Sequence, residues 1–109
     1  METNTELKQI QINKCIREQA EQFGLENRML QCTEEAGELI QALSKYRRIK
    51  QGDKTCRTNM CHAEYMVAEE MADLEICIEQ LKCLLGNTEQ IEQIKAEKVH
   101  RTEQRLYEE

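Results

Sequence analysis

The 109-residue chain contains no proline, and four glycines are all that loosen its backbone. Proline is the residue that ends or kinks a helix most forcibly, so its absence lets helices run long. Gly24 and Gly86 each close a helical pattern where a C-terminal cap favours glycine, and Gly52-Asp53 marks a turn. Aromatic residues make up 4% and charged residues 33%, a balance that suits helices better than sheet. The expected fold is all-α.

Four helices are expected, over Thr5 to Phe23, Glu26 to Lys50, Met60 to Leu85 and Glu89 to Tyr107. Asn87-Thr88 offers an N-cap for the last, and the stretch QGDKTCRTN at 51–59 is the one real loop. Residues 1–109 make a single domain. A chain of this length buries about two-thirds of its unfolded surface, so self-association would help it.

Fifteen basic against twenty-one acidic residues give a formal charge of −6, which disfavours nucleic acid as a partner. No apolar run is long enough to span a bilayer and no charged-then-apolar leader opens the chain, so the expected home is the cytoplasm, away from membrane. Six cysteines in that compartment read as reduced thiols, with Cys15, Cys32 and Cys77 on apolar helical faces. Cys56, Cys61 and His62 match no zinc spacing. His62 and His100 have no evident partner, and neither a Ser-His-Asp arrangement nor a P-loop is present.

The informative residues are acids. With about 100° per residue, the first helix gathers Ile12, Cys15, Ile16, Gln19 and Phe23 on its better stripe. The second gathers Met29, Cys32, Ala36, Leu39, Ile40, Leu43 and Tyr46. Glu35 lies just beyond the edge of that second stripe and Glu38 further round, while Glu34, Gln41 and Lys45 belong to the outer face. Gly37 costs roughly 1 kcal/mol against alanine in a helix interior, so a close neighbour or a ligand is expected there. The third helix has Val67, Leu74, Cys77, Ile78, Leu81, Leu84 and Leu85 on its stripe, with Glu70 inside it and Asp73 at its margin. A buried carboxylate must be paired, protonated or metal-bound. Residues three apart project from one side of a helix. Two antiparallel helices can therefore aim four carboxylates into one pocket, which suits a hard cation such as Mg²⁺. In the fourth helix Lys98, Arg101 and Arg105 share a face, a candidate clamp for phosphate oxygens.

EEAGE at 34–38 followed by EMAD at 70–73 resembles the EExxE…ExxD signature of the MazG-like all-α nucleoside triphosphate pyrophosphohydrolases. The flanks FGLENRMLQCTEEAGELIQAL and VAEEMADLEICIEQLK, and the closing EKVHRTEQRL, resemble short phage-type members over roughly residues 22–106. The separation between the motifs is longer than is common in that family, with the surplus in the 51–59 loop. The tail is shorter than in members with extra helices.

The resemblance implies a four-helix core in a homodimer or homotetramer. It implies hydrolysis of a nucleoside triphosphate to the monophosphate and pyrophosphate. It further implies Mg²⁺, replaceable by Mn²⁺, on Glu35, Glu38, Glu70 and Asp73, and Lys98, Arg101 and Arg105 against phosphate. Either Glu34 or Glu38 would take the proton of the attacking water. Chemistry of this kind needs positioning and charge more than a covalent nucleophile. Two other readings stay open: a phosphoribosyl-ATP pyrophosphohydrolase-like enzyme, and a non-catalytic helical oligomerising or adaptor protein.

Overall fold

The computed structural model describes residues 3–108, and every regular element among them is helical. Four helices follow one another: α1 (Asn4–Phe23), α2 (Leu25–Lys50), α3 (Met60–Leu85) and α4 (Thr88–Leu106). The first starts one residue before its expected position because Thr3 and Glu6 form a capping box. The Glu6 N–H donates to Thr3 Oγ1 at 3.1 Å and the Thr3 N–H to Glu6 Oε2 at 2.6 Å. Asn59 caps α3, its Oδ1 accepting the His62 N–H at 2.8 Å.

Asn87 precedes α4 as expected but does not cap it with its side chain. Its backbone, at φ −110° and ψ 20°, departs from the extended form that aims a capping oxygen at the first turn, and its Oδ1 is buried without a partner. Gly24 joins α1 to α2 with no intervening loop, at φ 84° and ψ 164°, a conformation essentially restricted to glycine.

Helices α2 and α3 form an antiparallel hairpin across the 51–59 loop. Arg28 bonds Gln80 at one end, and the Tyr46 hydroxyl approaches Glu64 Oε1 at 3.5 Å toward the other. Buried or half-buried positions of α2 recur in alternating steps of four and three: Arg28, Cys32, Glu35, Leu39, Ala42 and Tyr46. On α3 the buried or half-buried Ala63, Val67, Glu70, Leu74, Cys77 and Leu81 do the same, with buried Gln80 beside the last of them, on the side toward α1. Such a rhythm keeps one seam facing the partner helix.

Helix α1 packs on both members of the hairpin, chiefly α3, whereas α4 lies along none of the other three and buries no side chain. The expected four-helix core is thus a three-helix core with a fourth helix beside it. The buried apolar residues are all small, Ala20, Ala42, Ala63 and Cys77, and side chains of that size let helices approach closely.

That close approach rotates the large apolar side chains out of the seam. Ile12, Phe23, Met29, Ile40, Leu43, Ile78 and Leu85, expected on core stripes, are all exposed, Ile40 by 67%. The radius of gyration is 17.9 Å, where a compact chain of this length has about 13 Å. The accessible surface is 9082 Å², against about 6,300 Å² for a compact monomer of this mass.

Candidate functional site

Midway along the α2–α3 seam, three carboxylates face one another. Glu35, Glu38 and Glu70 each place an oxygen within 4.8 Å of the other two. Glu35 sits in the seam itself, not beyond its edge. The small Ala42, one turn and three residues on, sets the face of α2 that meets α3, and Glu35 shares that face. Glu38 stands at the seam's exposed margin, and the antiparallel register brings Glu70 across to it.

Glu70 is 8% exposed, and its Oε2 is buried with no hydrogen-bond partner. Glu35 is in the same condition. Its Oε1 accepts from Gln31 Nε2 at 2.6 Å, but its Oε2 is buried and unpartnered. Among the described residues no lysine or arginine forms an ion pair with any of the three acids. Burial first, then the Glu38 carboxyl beside it, then the charges of Asp73 and Glu35, push Glu70 up to about 7. A carboxylate that cannot easily hold its charge, beside two others, is the environment a divalent cation relieves.

The remaining expected residues fall in different places. Asp73 is half-buried and close enough for its charge to raise Glu70, but it is not part of the three-carboxylate group. Glu34 is exposed and stands outside that group. Lys98, Arg101 and Arg105 do share a face, lining a shallow hollow of about 230 Å³ with Thr102. That hollow is on α4, which does not pack along the acidic helices, so one chain does not bring its cations against the carboxylates. Gly37 has no neighbour within 4 Å of where a Cβ would stand, so no close approach inside the chain accounts for it.

A cavity of about 350 Å³ opens from the cluster toward the loop, lined by Glu38 and Glu70 and further along by Gln41, Lys45, Thr58 and His62. Gln41 and Lys45 had been expected on the outer face, and His62 to be incidental. They reach the cavity because Ala42 occupies the seam: Glu38, Gln41 and Lys45 then flank it on one side. On α3, His62, Met66 and Glu70 recur at four-residue steps and line the cavity together. That spacing is the one signal in the sequence that could have found His62.

All six cysteines are free thiols, and Cys56, Cys61 and His62 form no metal-ligand group among the described residues. Burial raises the Cys77 thiol, which packs as a small apolar group. No helix is long and apolar enough to cross a membrane. Protein-family models, curated proteins and solved structures were all compared with the chain, and none matches it.

Proposed function

We propose that this chain is a Mg²⁺-dependent nucleotide pyrophosphohydrolase whose metal is held by Glu35, Glu38 and Glu70, with Asp73 adjoining. One observation carries the reading: two buried carboxylate oxygens, on Glu35 and Glu70, have no donor or cation, and both residues belong to a three-carboxylate group whose facing oxygens lie within 4.8 Å of one another. Unpartnered oxygens of this kind are costly and rare, and a hard divalent cation is the partner that satisfies several at once. Mn²⁺ would substitute with the same ligands. When bound, the metal supplies charge neutralisation for phosphate oxygens and lowers the pKa of water.

The chain's own residues do the rest. Gln31 fixes the Glu35 carboxylate through a 2.6 Å bond, so its second oxygen points in one direction. Glu38, exposed at the mouth of the cavity, can accept a proton from water arriving there. The cavity, open at the cluster and continuing to Thr58, gives a phosphate chain room to lie between α2 and α3. The likeness of EEAGE and EMAD to the MazG-like motifs agrees with this assignment and adds the nucleoside triphosphate as substrate.

The working form would be a homo-oligomer. The surface exceeds that of a compact monomer by about 2,800 Å², more than one side of a standard interface and on the scale of an obligate one. Exposed Met29, Ile40 and Leu43 on α2, with Met71, Ile78 and Leu85 spaced seven apart on α3, supply apolar faces for a second copy.

Pyrophosphate release from a panel of NTPs and dNTPs, with Mg²⁺ and with EDTA, tests the activity. Metal-dependent release that disappears in Glu70→Gln supports the reading. Undiminished release by that variant would remove the site assignment.

A further inference from the structure

We propose that the pyrophosphate end of the substrate is held within the same chain by Lys45 and Arg57, in a cationic pocket that continues the acidic cavity, and not by the basic face of α4. This inference rests on the metal reading above and adds where the phosphates go. The cavity at Glu38 and Glu70 ends at Lys45 and Thr58. A second pocket of about 250 Å³ begins at those same two residues and is walled by Arg48, Arg57 and Cys56. A path of two adjoining pockets, sharing Lys45 and Thr58, thus runs from two of the carboxylates, Glu38 and Glu70, to three cations.

Its length suits a chain of phosphates. Glu38 and Lys45 are seven residues apart on one face of α2, two helical turns or roughly 10 Å of rise. A single phosphate does not span that distance, whereas the phosphate arm of a nucleotide does.

The cationic wall is also built in advance. Arg48 Nε donates to Asp53 Oδ2 at 3.0 Å and its Nη2 to Thr55 Oγ1 at 3.2 Å. Asp53 Oδ1 in turn accepts the Thr55 N–H at 2.8 Å and the Thr55 hydroxyl at 2.6 Å. This knot ties the loop to the end of α2 and holds the segment bearing Arg57 and Thr58 across the cavity mouth. A wall ordered before binding loses less entropy when the ligand arrives.

Lys45 and Arg57, by contrast, form no ion pair among the described residues, in a chain with six more acids than bases. The carbonyl end of α2 favours cations and accounts for Arg47, Arg48 and Lys50. Lys45 lies more than a turn before that end and lines both pockets.

Calorimetric titration separates this inference from the one beneath it. Mn²⁺ alone is titrated into the wild-type chain, then inorganic pyrophosphate in excess Mg²⁺ into the wild type, Lys45→Ala, Lys45→Arg and the triple variant Lys98→Ala, Arg101→Ala, Arg105→Ala. Lys45→Ala is expected to bind Mn²⁺ as the wild type does and to lose at least about tenfold in pyrophosphate affinity, the scale of one charge-assisted hydrogen bond. Lys45→Arg recovers most of that loss, and the α4 triple variant stays within about twofold of the wild type. Wild-type pyrophosphate affinity in Lys45→Ala, or a loss confined to the triple variant, would overturn the inference while leaving the metal in place. Failure of the wild type to bind Mn²⁺ would remove the metal reading first, and this inference with it.

Discussion

Gln80 and Glu70 are polar residues on one helix, both buried where α3 meets its neighbours, and they are treated in opposite ways. Gln80 is 1% exposed, the largest side chain to be fully enclosed. Its Oε1 accepts from Arg28 Nη1 at 2.9 Å, and its Nε2 reaches the Ile16 carbonyl at 3.5 Å and Gln19 Oε1 at 3.3 Å. Arg28 is itself braced over the Phe23 ring at 4.2 Å. Three helices are thus locked by a polar group whose needs are met inside the chain. Ten residues earlier, Glu70 has an oxygen equally hidden from water and nothing to bond it. A satisfied buried network specifies a fold, whereas an incomplete one weakens it. The second is kept, on the reading above, because the missing partner is a ligand.

The comparison can be broken most sharply by activity. Glu70→Gln keeps the shape but lowers metal-dependent pyrophosphate release by at least roughly 100-fold, the scale seen when groups around a metal are altered. Gln80→Glu, which adds an acid at the structural position, creates no second metal site by Mn²⁺ titration.

Stability should move in opposite directions at the two positions. Gln80→Leu leaves Arg28, Gln19 and the Ile16 carbonyl without their partner and lowers unfolding free energy by about 1–3 kcal/mol in urea. Glu70→Leu raises it in metal-free protein, because an unsatisfied carboxyl is replaced by an apolar side chain in the seam. Mg²⁺ raises the melting temperature of the wild type, by the equivalent of about 2.7 kcal/mol at a hundredfold excess over Kd, and leaves Glu70→Leu unmoved. A Glu70→Leu protein less stable than metal-free wild type would mean that Glu70 is structural, as Gln80 is.

The pH dependence is smaller and has a definite sign. Glu70 is raised from the ordinary 4.5 to about 7, so between those values the folded state holds a proton that the unfolded state releases. Metal-free protein is accordingly steadied by this group below pH 4.5, and the contribution is lost as pH rises through 7. Chemical denaturation at pH 5 and pH 8 should show that fall in the wild type and its absence in Glu70→Gln.

The smallest effect belongs to the loop. Asp53 is lowered to about 2, first by the Thr55 hydroxyl and N–H and then by Arg48. Its contribution is present above the ordinary 3.8 and lost as pH falls through 2. Arg48 is exposed and Asp53 only half-buried, so Asp53→Asn should barely change the melting temperature. By loosening Arg48 it should weaken pyrophosphate binding more than it weakens the fold.

Much of this was legible in order along the chain. Every helix begins and ends within a residue of its expected bounds. The burial of Glu70 followed from its place on an apolar stripe. The position of Glu35 did not, nor did the roles of Lys45 and His62 as cavity walls. A helical wheel weighs residues by hydrophobicity, and by that measure Ile40 and Leu43 outrank Ala42. The apolar residues buried on α2 and at the start of α3 are instead Ala42 and Ala63, whose small side chains allow a close approach.

By itself the sequence determined what is local. Without proline, and with capping signals at Thr3 and Asn59, each backbone N–H finds its partner four residues back, so the helices and the spacing of their acids follow from short-range rules. Only the tertiary structure decided how far each helix turns about its axis. That rotation drew Glu35 to Glu70, left α4 and its three cations apart, and joined the acidic cavity to a basic pocket. It depends on side chains far apart in sequence competing for one contact, a choice that no window along the chain contains.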